Sequence, residues 1–243
     1  MRITIYNENL HEQRAGQTAA LLYPDGMHAA IADGLRAHLG DLAPDIRIAT
    51  LADHRETLAP AELAATDVLL WWGHEGHPDV DDAVAEAVVS RVHAGMGFVP
   101  LHSAHYSKPF LRLMGTTCSL RWRNDADREL VWTVAPAHPI ARGVPDPIVI
   151  EAQEMYGEPF DIPTPDELVF ISSFSGGEVF RSGAAYRRGR GRVFYFSPGD
   201  QEYPVYRHPA VQRVIANAVR WAAPDLPPAH LDSLPHARGW FEG

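Results

Sequence analysis

The sequence predicts an α/β fold built on a doubly wound, mostly parallel sheet. Its first half alternates short apolar runs with stretches whose apolar residues recur at helical spacing, the βαβαβα pattern of such a sheet. The apolar runs are nearly unbroken, as parallel strands covered on both faces require. Each run stops in a polar elbow, and an open α/β sheet presents its chemistry at the carboxyl ends of its strands.

Arg2 to Tyr6 forms the first strand and stops at Asn7-Glu8-Asn9-Leu10-His11-Glu12, where a first βα loop belongs. Tyr23-Pro24-Asp25-Gly26 is a turn with Asp25 as N-cap. Met27, Ala30, Ile31, Gly34, Leu35 and His38 then mark an amphipathic helix. Ile46 to Ala49 is a second strand, and Pro60 suits the first position of a short helix. Val68 to Trp72 is a third strand, followed by Gly73-His74-Glu75-Gly76-His77-Pro78 and a helix marked by Val80 to Val92. Phe98 to Leu101 is a fourth strand; it ends in His102, Ser103 and His105, with a helix from about Ser107.

The second half is less regular. Met114 to Trp122 reads as an excursion from the sheet, Leu130 to Val134 and Ile148 to Glu151 as short strands, and Glu151 to Asp161 as a polar loop. Val169 to Ser172, Glu178 to Tyr186 and Val193 to Phe196 are further strands, the last two joined by a tight turn at Gly189-Arg190-Gly191. A final amphipathic helix runs from about Pro209 to Trp221, and a proline-rich tail occupies 224–243. Nothing in the sequence divides the chain, so residues 1–243 are expected to form a single domain.

The bulk properties exclude several functions. With 243 residues, 46% of them hydrophobic, the chain can bury a sizeable core. A net charge of -10 argues against nucleic acid, whose binding leaves a basic footprint. No apolar run approaches the ~18 residues of a membrane span, and the amino terminus has no secretory apolar region. The single Cys118 fits a reducing, cytoplasmic setting and reads as a small buried thiol.

If the sheet is parallel, the loops after strands one, three and four share one edge with Pro198-Gly199-Asp200-Gln201-Glu202-Tyr203. Three chemistries compete there. Ser103 sits at a strand–helix turn like a hydrolase nucleophile, but Leu101 and His105 stand where that elbow wants glycine. The histidines suit a divalent metal, with His74, His77 and His105 as ligands and Glu154 or a water completing the shell. Nitrogen donors favour zinc or manganese over magnesium. A sugar would instead use Trp71, Trp72, Tyr106, Trp122 and Tyr156 as apolar faces and Asn7, Glu8 and Glu154 as hydrogen-bonding groups. The bland alternatives are core packing for the tryptophans and bonds to loop carbonyls for the histidines.

Several motifs, weak singly, are specific in their order: Asn7-Glu8-Asn9 with His11-Glu12, Trp71-Trp72-Gly73-His74, Leu101-His102-Ser103, Met114 to Cys118, Glu154-Met-Tyr-Gly-Glu158 and Gly176 to Arg181. Together, from Arg2 to about Pro224, they resemble the ThuA-like (trehalose utilisation) proteins. The resemblance implies a flavodoxin-like fold related to class I glutamine amidotransferases, and a role in bacterial disaccharide or keto-sugar metabolism. It places Ser103 at the amidotransferase nucleophile position, 73–78 on the oxyanion loop and Pro198 to Glu202 on the strand end that carries histidine and glutamate. Asp200 stands at that histidine position, and an aspartate is no near-neutral proton shuttle, so glutamine hydrolysis is not expected.

The expected function is therefore proton transfer on a sugar or oxidised sugar, with His102 or His105 as base and Glu154 or Tyr156 as acid. Ser103 lies at the centre, and Asn7, Glu8, Asn9, His11, Asp200 and Glu202 bind the substrate. The alternative is a non-catalytic sugar-binding or regulatory protein on the same scaffold. No nucleotide cofactor, nucleic acid or membrane partner is expected, and a homo-oligomer is.

Overall fold

The computed structural model describes residues 1–224. In chain order the strands and helices are β1 (Arg2–Asn7), α1 (Thr18–Leu22), α2 (Met27–His38), β2 (Asp45–Thr50), α3 (His54–Thr57), α4 (Pro60–Ala64), β3 (Val68–Trp72) and α5 (Asp82–Ala94). There follow β4 (Gly97–Leu101), α6 (Lys108–Met114), β5 (Arg121–Thr133), β6 (Ile148–Gly157), β7 (Glu167–Phe174), β8 (Val179–Arg188), β9 (Gly191–Phe196) and α7 (Pro209–Ala222). The proline-rich tail lies, from residue 225 onward, outside the described residues. Among the described residues no helix is long and apolar enough to cross a membrane.

The strands form one mixed nine-stranded sheet in the order β2-β1-β3-β4-β9-β8-β7-β5-β6. The expectation of a mostly parallel sheet needs correction. Pairings among β2, β1, β3, β4 and β9 are parallel, whereas the other four are antiparallel. The reason lies in the connections: between β5 and β9 no α-helix intervenes, and short connections join antiparallel neighbours. The β8–β9 turn is as expected, with Gly189 at φ +59; a side chain there would meet the backbone of His93 at 2.7 Å.

Helices cover both faces of the parallel strands. Ile3, Ile5, Leu70 and Val99 pack with Ile31 and Leu35 of α2 and Val211, Val214 and Ile215 of α7. Leu69, Trp71 and Phe98 pack on the opposite face with Val84, Val88 and Val92 of α5 and Phe110 and Leu113 of α6. All five β3 residues are buried, and each leucine contributes roughly 2 kcal/mol of apolar burial. Trp71 and Trp72 are thus core residues, not sugar faces, and Trp72 also donates Nε1–H to the Gly199 carbonyl at 3.0 Å.

Several helix starts follow local chemistry. Asp81 caps α5, Ser107 caps α6, and Pro60 occupies the first turn of α4. Asp25 does not cap α2. The residue at that position is Gly26, with φ +85, and the Met27 amide donates instead to Glu12 at 3.0 Å.

Candidate active site

The sheet register brings four strand ends to one level. Asn7 pairs with Trp72, Trp72 with Leu101, and Leu101 with Phe196, so the loops that follow begin side by side. A fifth contribution comes from the far edge. The β5–β6 ribbon is bulged between Arg123 and Glu129, where Ala126 adopts φ +56, and a bulge bends the strand that carries it. Glu154 and Tyr156 thereby reach the residues after β4, on strand β6 rather than on the loop expected from the sequence. Two residues apart, they share one face of it.

His102 is the centre of the site. It is 0% exposed and sits at φ +49, so the strained residue of the β4 elbow is His102 and not Ser103. Its Nδ1–H donates to the Ser197 carbonyl at 2.6 Å. Its Nε2 faces Glu154 Oε2 at 2.9 Å, the Tyr156 hydroxyl at 3.2 Å and Asp200 Oδ2 at 3.6 Å. Burial alone would lower the pKa of this ring, but its bonds to Asp200 and Glu154 outweigh that and push it up to about 10. A ring held protonated between two carboxylates suits a charge partner better than the base, and of the two expected bases it favours His105 over His102. Burial would likewise raise the Asp200 carboxyl, but His102 holds it below the usual carboxylate range.

Burial favours the neutral form of three other imidazoles, His105, His77 and His74. His105 donates Nδ1–H to the Cys118 carbonyl at 2.8 Å, which leaves the Nε2 lone pair free, and burial lowers its pKa to about 3. His77 donates Nε2–H to the Ser103 carbonyl at 3.0 Å, and burial lowers it to about 4. His74 bonds His11, Nδ1 to Nε2, at 3.0 Å and is also lowered by burial. The bland expectation, bonds to loop carbonyls, therefore holds for His77, His102 and His105. Ser103 Oγ bonds the Tyr156 hydroxyl at 3.1 Å and has no imidazole partner, so it lacks the base a serine nucleophile needs. Cys118 is buried, as expected.

Much of the first loop, expected to bind substrate, is committed to holding the site together. Glu8, 2% exposed, accepts the amides of His74 at 2.6 Å, Glu75 at 3.1 Å and Gly76 at 2.8 Å. Those are the donors an oxyanion hole would offer, and the carboxylate already fills them. Asn7 donates to Glu12 and accepts the Asn9 amide, and Asn9 holds the turn at φ +57. Glu202 is exposed and bonds Asn124.

A cavity of about 190 Å³ opens beside this cluster. Ser103, His105, Glu154 and Tyr156 face it, together with His74 and His77. Asn7, Glu8, Asn9, His11 and Glu202 are not in its wall, and His102 and Asp200 lie behind it. Asn124 and Gln201 also line the cavity; Gln201 lies in the segment expected at this edge without a role of its own, and Asn124 has no signal in the sequence because an isolated amide carries no spacing pattern. Trp122 and Tyr106 form its rim, 66% and 44% exposed. A larger groove of about 760 Å³ beside Pro139, Arg213 and Trp221 has no carboxylate in its wall and offers no acid–base pair.

The expected metal ligands His74, His77 and His105 share the cavity wall with Glu154. Among the described residues, ligand atoms of three side chains lie within 4.8 Å of one another at His11, His74 and Glu75, and at His102, Glu154 and Asp200. His74, His77 and His105 do not form so close a group.

Comparison with known proteins supplies the family. The fold is similar to that of a ThuA-like protein from Bacteroides uniformis, with a TM-score of 0.62, 17% identity and 91% of each chain covered. A cytoplasmic protein from Salmonella typhimurium gives a TM-score of 0.60 at 12% identity, covering 92% of this chain and 99% of that one. A cold-adapted β-galactosidase from Rahnella shares the fold over 94% of this chain but only 32% of its own, with a TM-score of 0.57 and 14% identity. No curated protein matches the chain in sequence. A family profile described as trehalose utilisation, ThuA, matches residues 2–222, nearly the whole described chain, and the protein belongs to that family.

Proposed function

We propose that the protein is an enzyme of carbohydrate metabolism that moves a proton on a sugar or oxidised sugar, on a flavodoxin-like scaffold without amidotransferase chemistry. The observation that carries this reading is the wall of the 190 Å³ cavity, where a carboxylate and a phenol from β6 meet a hydroxyl and a neutral imidazole from the elbow after β4. Glu154 is the base. Its Oε2 is held by His102, whereas Oε1 has no hydrogen bond to any described residue. It takes the proton from the carbon next to a sugar carbonyl, and the Tyr156 hydroxyl, paired with Ser103, donates to the oxygen on which charge develops. His105 Nε2 accepts from a sugar hydroxyl, and Asn124 and Gln201 bind others. Trp122 and Tyr106 offer apolar faces at the mouth.

The test is turnover. The protein is incubated with trehalose, glucosides and their 3-keto forms, with and without added divalent metal, and products are resolved by chromatography and NMR. Consumption of at least one keto form, or exchange of its carbon-bound hydrogen with solvent deuterium, is expected. Saturable binding with neither product nor exchange would favour a sugar-binding or regulatory protein instead.

A further inference from the structure

We propose that His102 Nε2, Glu154 Oε2 and Asp200 Oδ2 form a site for a divalent cation, distinct from the ligand set that histidine spacing suggests. The three atoms come from the ends of β4 and β9 and from β6, and all lie within 4.8 Å of one another. Two ligands each about 2.1 Å from a common ion stand about 3.0 Å apart at a right angle and about 3.4 Å apart in a tetrahedron. The separations from His102 Nε2, 2.9 Å to Glu154 and 3.6 Å to Asp200, lie close to those spans.

The surroundings also suit ligands rather than a chance cluster. His102 Nδ1 is fixed on the Ser197 carbonyl at 2.6 Å, the outer bond that orients a metal-binding imidazole and leaves Nε2 for the ion. Asp200 Oδ1 is fixed by the Glu202 amide at 2.7 Å, which leaves Oδ2 toward the ring. The positive φ of His102 belongs to the elbow that carries its ring between Glu154 and Asp200. Two carboxyl groups and one imidazole, all buried, supply three donor atoms for one divalent ion. A second, independent sign is Gln201. It is 6% exposed, lines the cavity next to Asp200, and holds a buried side-chain oxygen with no partner. That oxygen can serve the ion or a water on it. One nitrogen and two carboxylates suit manganese or zinc. The ion would take the place of the Nε2 proton, which leaves to solvent, while Glu154 keeps Oε1 toward the cavity.

The test is metal binding without sugar, so its failure is separable from failure of the proposed reaction. Chelator-stripped protein is titrated with Mn²⁺ or Zn²⁺ by calorimetry, and the bound ion is counted by elemental analysis. One ion per chain is expected, with affinity at least about tenfold weaker in Asp200→Asn and in Glu154→Gln. His74→Ala should bind as wild type does, because His74 belongs to the other group. Circular dichroism reports folding, and if one carboxylate variant fails to fold the other carries the test. A wild type that never exceeds trace metal, carboxylate variants that bind unchanged, or loss of binding in His74→Ala overturns the proposal.

Discussion

Glu129 gives the sharpest quantitative test of the electrostatics. It lies on β5 between Ile150 of β6 and Phe174 of β7 and is 0% exposed. Oε1 accepts the Ser172 hydroxyl at 2.6 Å, whereas Oε2 is buried without a partner. Burial pushes this carboxyl from 4.5 up to about 7. A folded-state pKa raised above the unfolded value means that the folded protein holds its proton where the unfolded chain has lost it. The associated stability is complete below pH 4.5, falls as pH rises, and is gone above about 7. That interval, at about 1.4 kcal/mol for each pH unit, amounts to about 3 kcal/mol. Glu129→Gln keeps an acceptor for Ser172 and cannot ionise. Urea denaturation of both proteins from pH 5 to pH 8 should show the variant gaining about 2–3 kcal/mol on wild type across that range. Parallel stability profiles would refute the reasoning, because they would mean that Glu129 is either solvated or ionised throughout.

Three other substitutions probe the site. Glu154→Gln should lower kcat roughly 10²–10⁴-fold with sugar binding retained, measured by initial rates and calorimetry; an unchanged kcat would exclude Glu154 as the base. Trp122→Ala should raise KM for a disaccharide about three- to tenfold and leave kcat for a monosaccharide alone, and equal effects on both sugars would remove the stacking role. Glu8→Gln replaces a buried carboxylate that accepts three amides with a group that turns a donor toward them. It should cost about 3 kcal/mol in urea unfolding, and a loss below about 1 kcal/mol would show that the 73–76 loop does not depend on Glu8.

What the sequence disclosed, and what it hid, follows from what each residue is for. Val68–Trp72 and Gly97–Leu101 were legible because parallel strands covered on both faces are continuous apolar runs. The polar elbows after them were legible for the same reason, by contrast. Strand β5 is legible only from Leu130, because Arg121 to Asp127 carries five charged or amide side chains. Strand β6 was cut at Glu151 because Gln153, Glu154 and Tyr156 are polar and lie buried in the site, where no alternation announces a strand. The sequence likewise put Ser103 at the centre and His102 beside it. Only the backbone, with its positive φ one residue earlier, reverses them. The cap of α2 was missed because its acceptor is Glu12, well upstream of the turn.

The same particulars bear on which chemistry the site allows. An acyl-transfer site needs hydrogen-bond donors aimed at an empty point where negative charge will develop. In this protein the amides of His74, Glu75 and Gly76 point at the corresponding place, but Glu8 already occupies it with a carboxylate. The elbow presents an imidazole in place of a nucleophile, and the strand end behind it presents Asp200 in place of a proton shuttle. Negative charge thus surrounds the site, from Glu8 on the loop amides and from Glu154 and Asp200 beside His102. A substrate that suits it is one whose own hydroxyls can donate to that charge. The substrate proposed above, a polyhydroxylated sugar with a carbonyl, is of that kind, and an amide that must be attacked by a serine without a base is not.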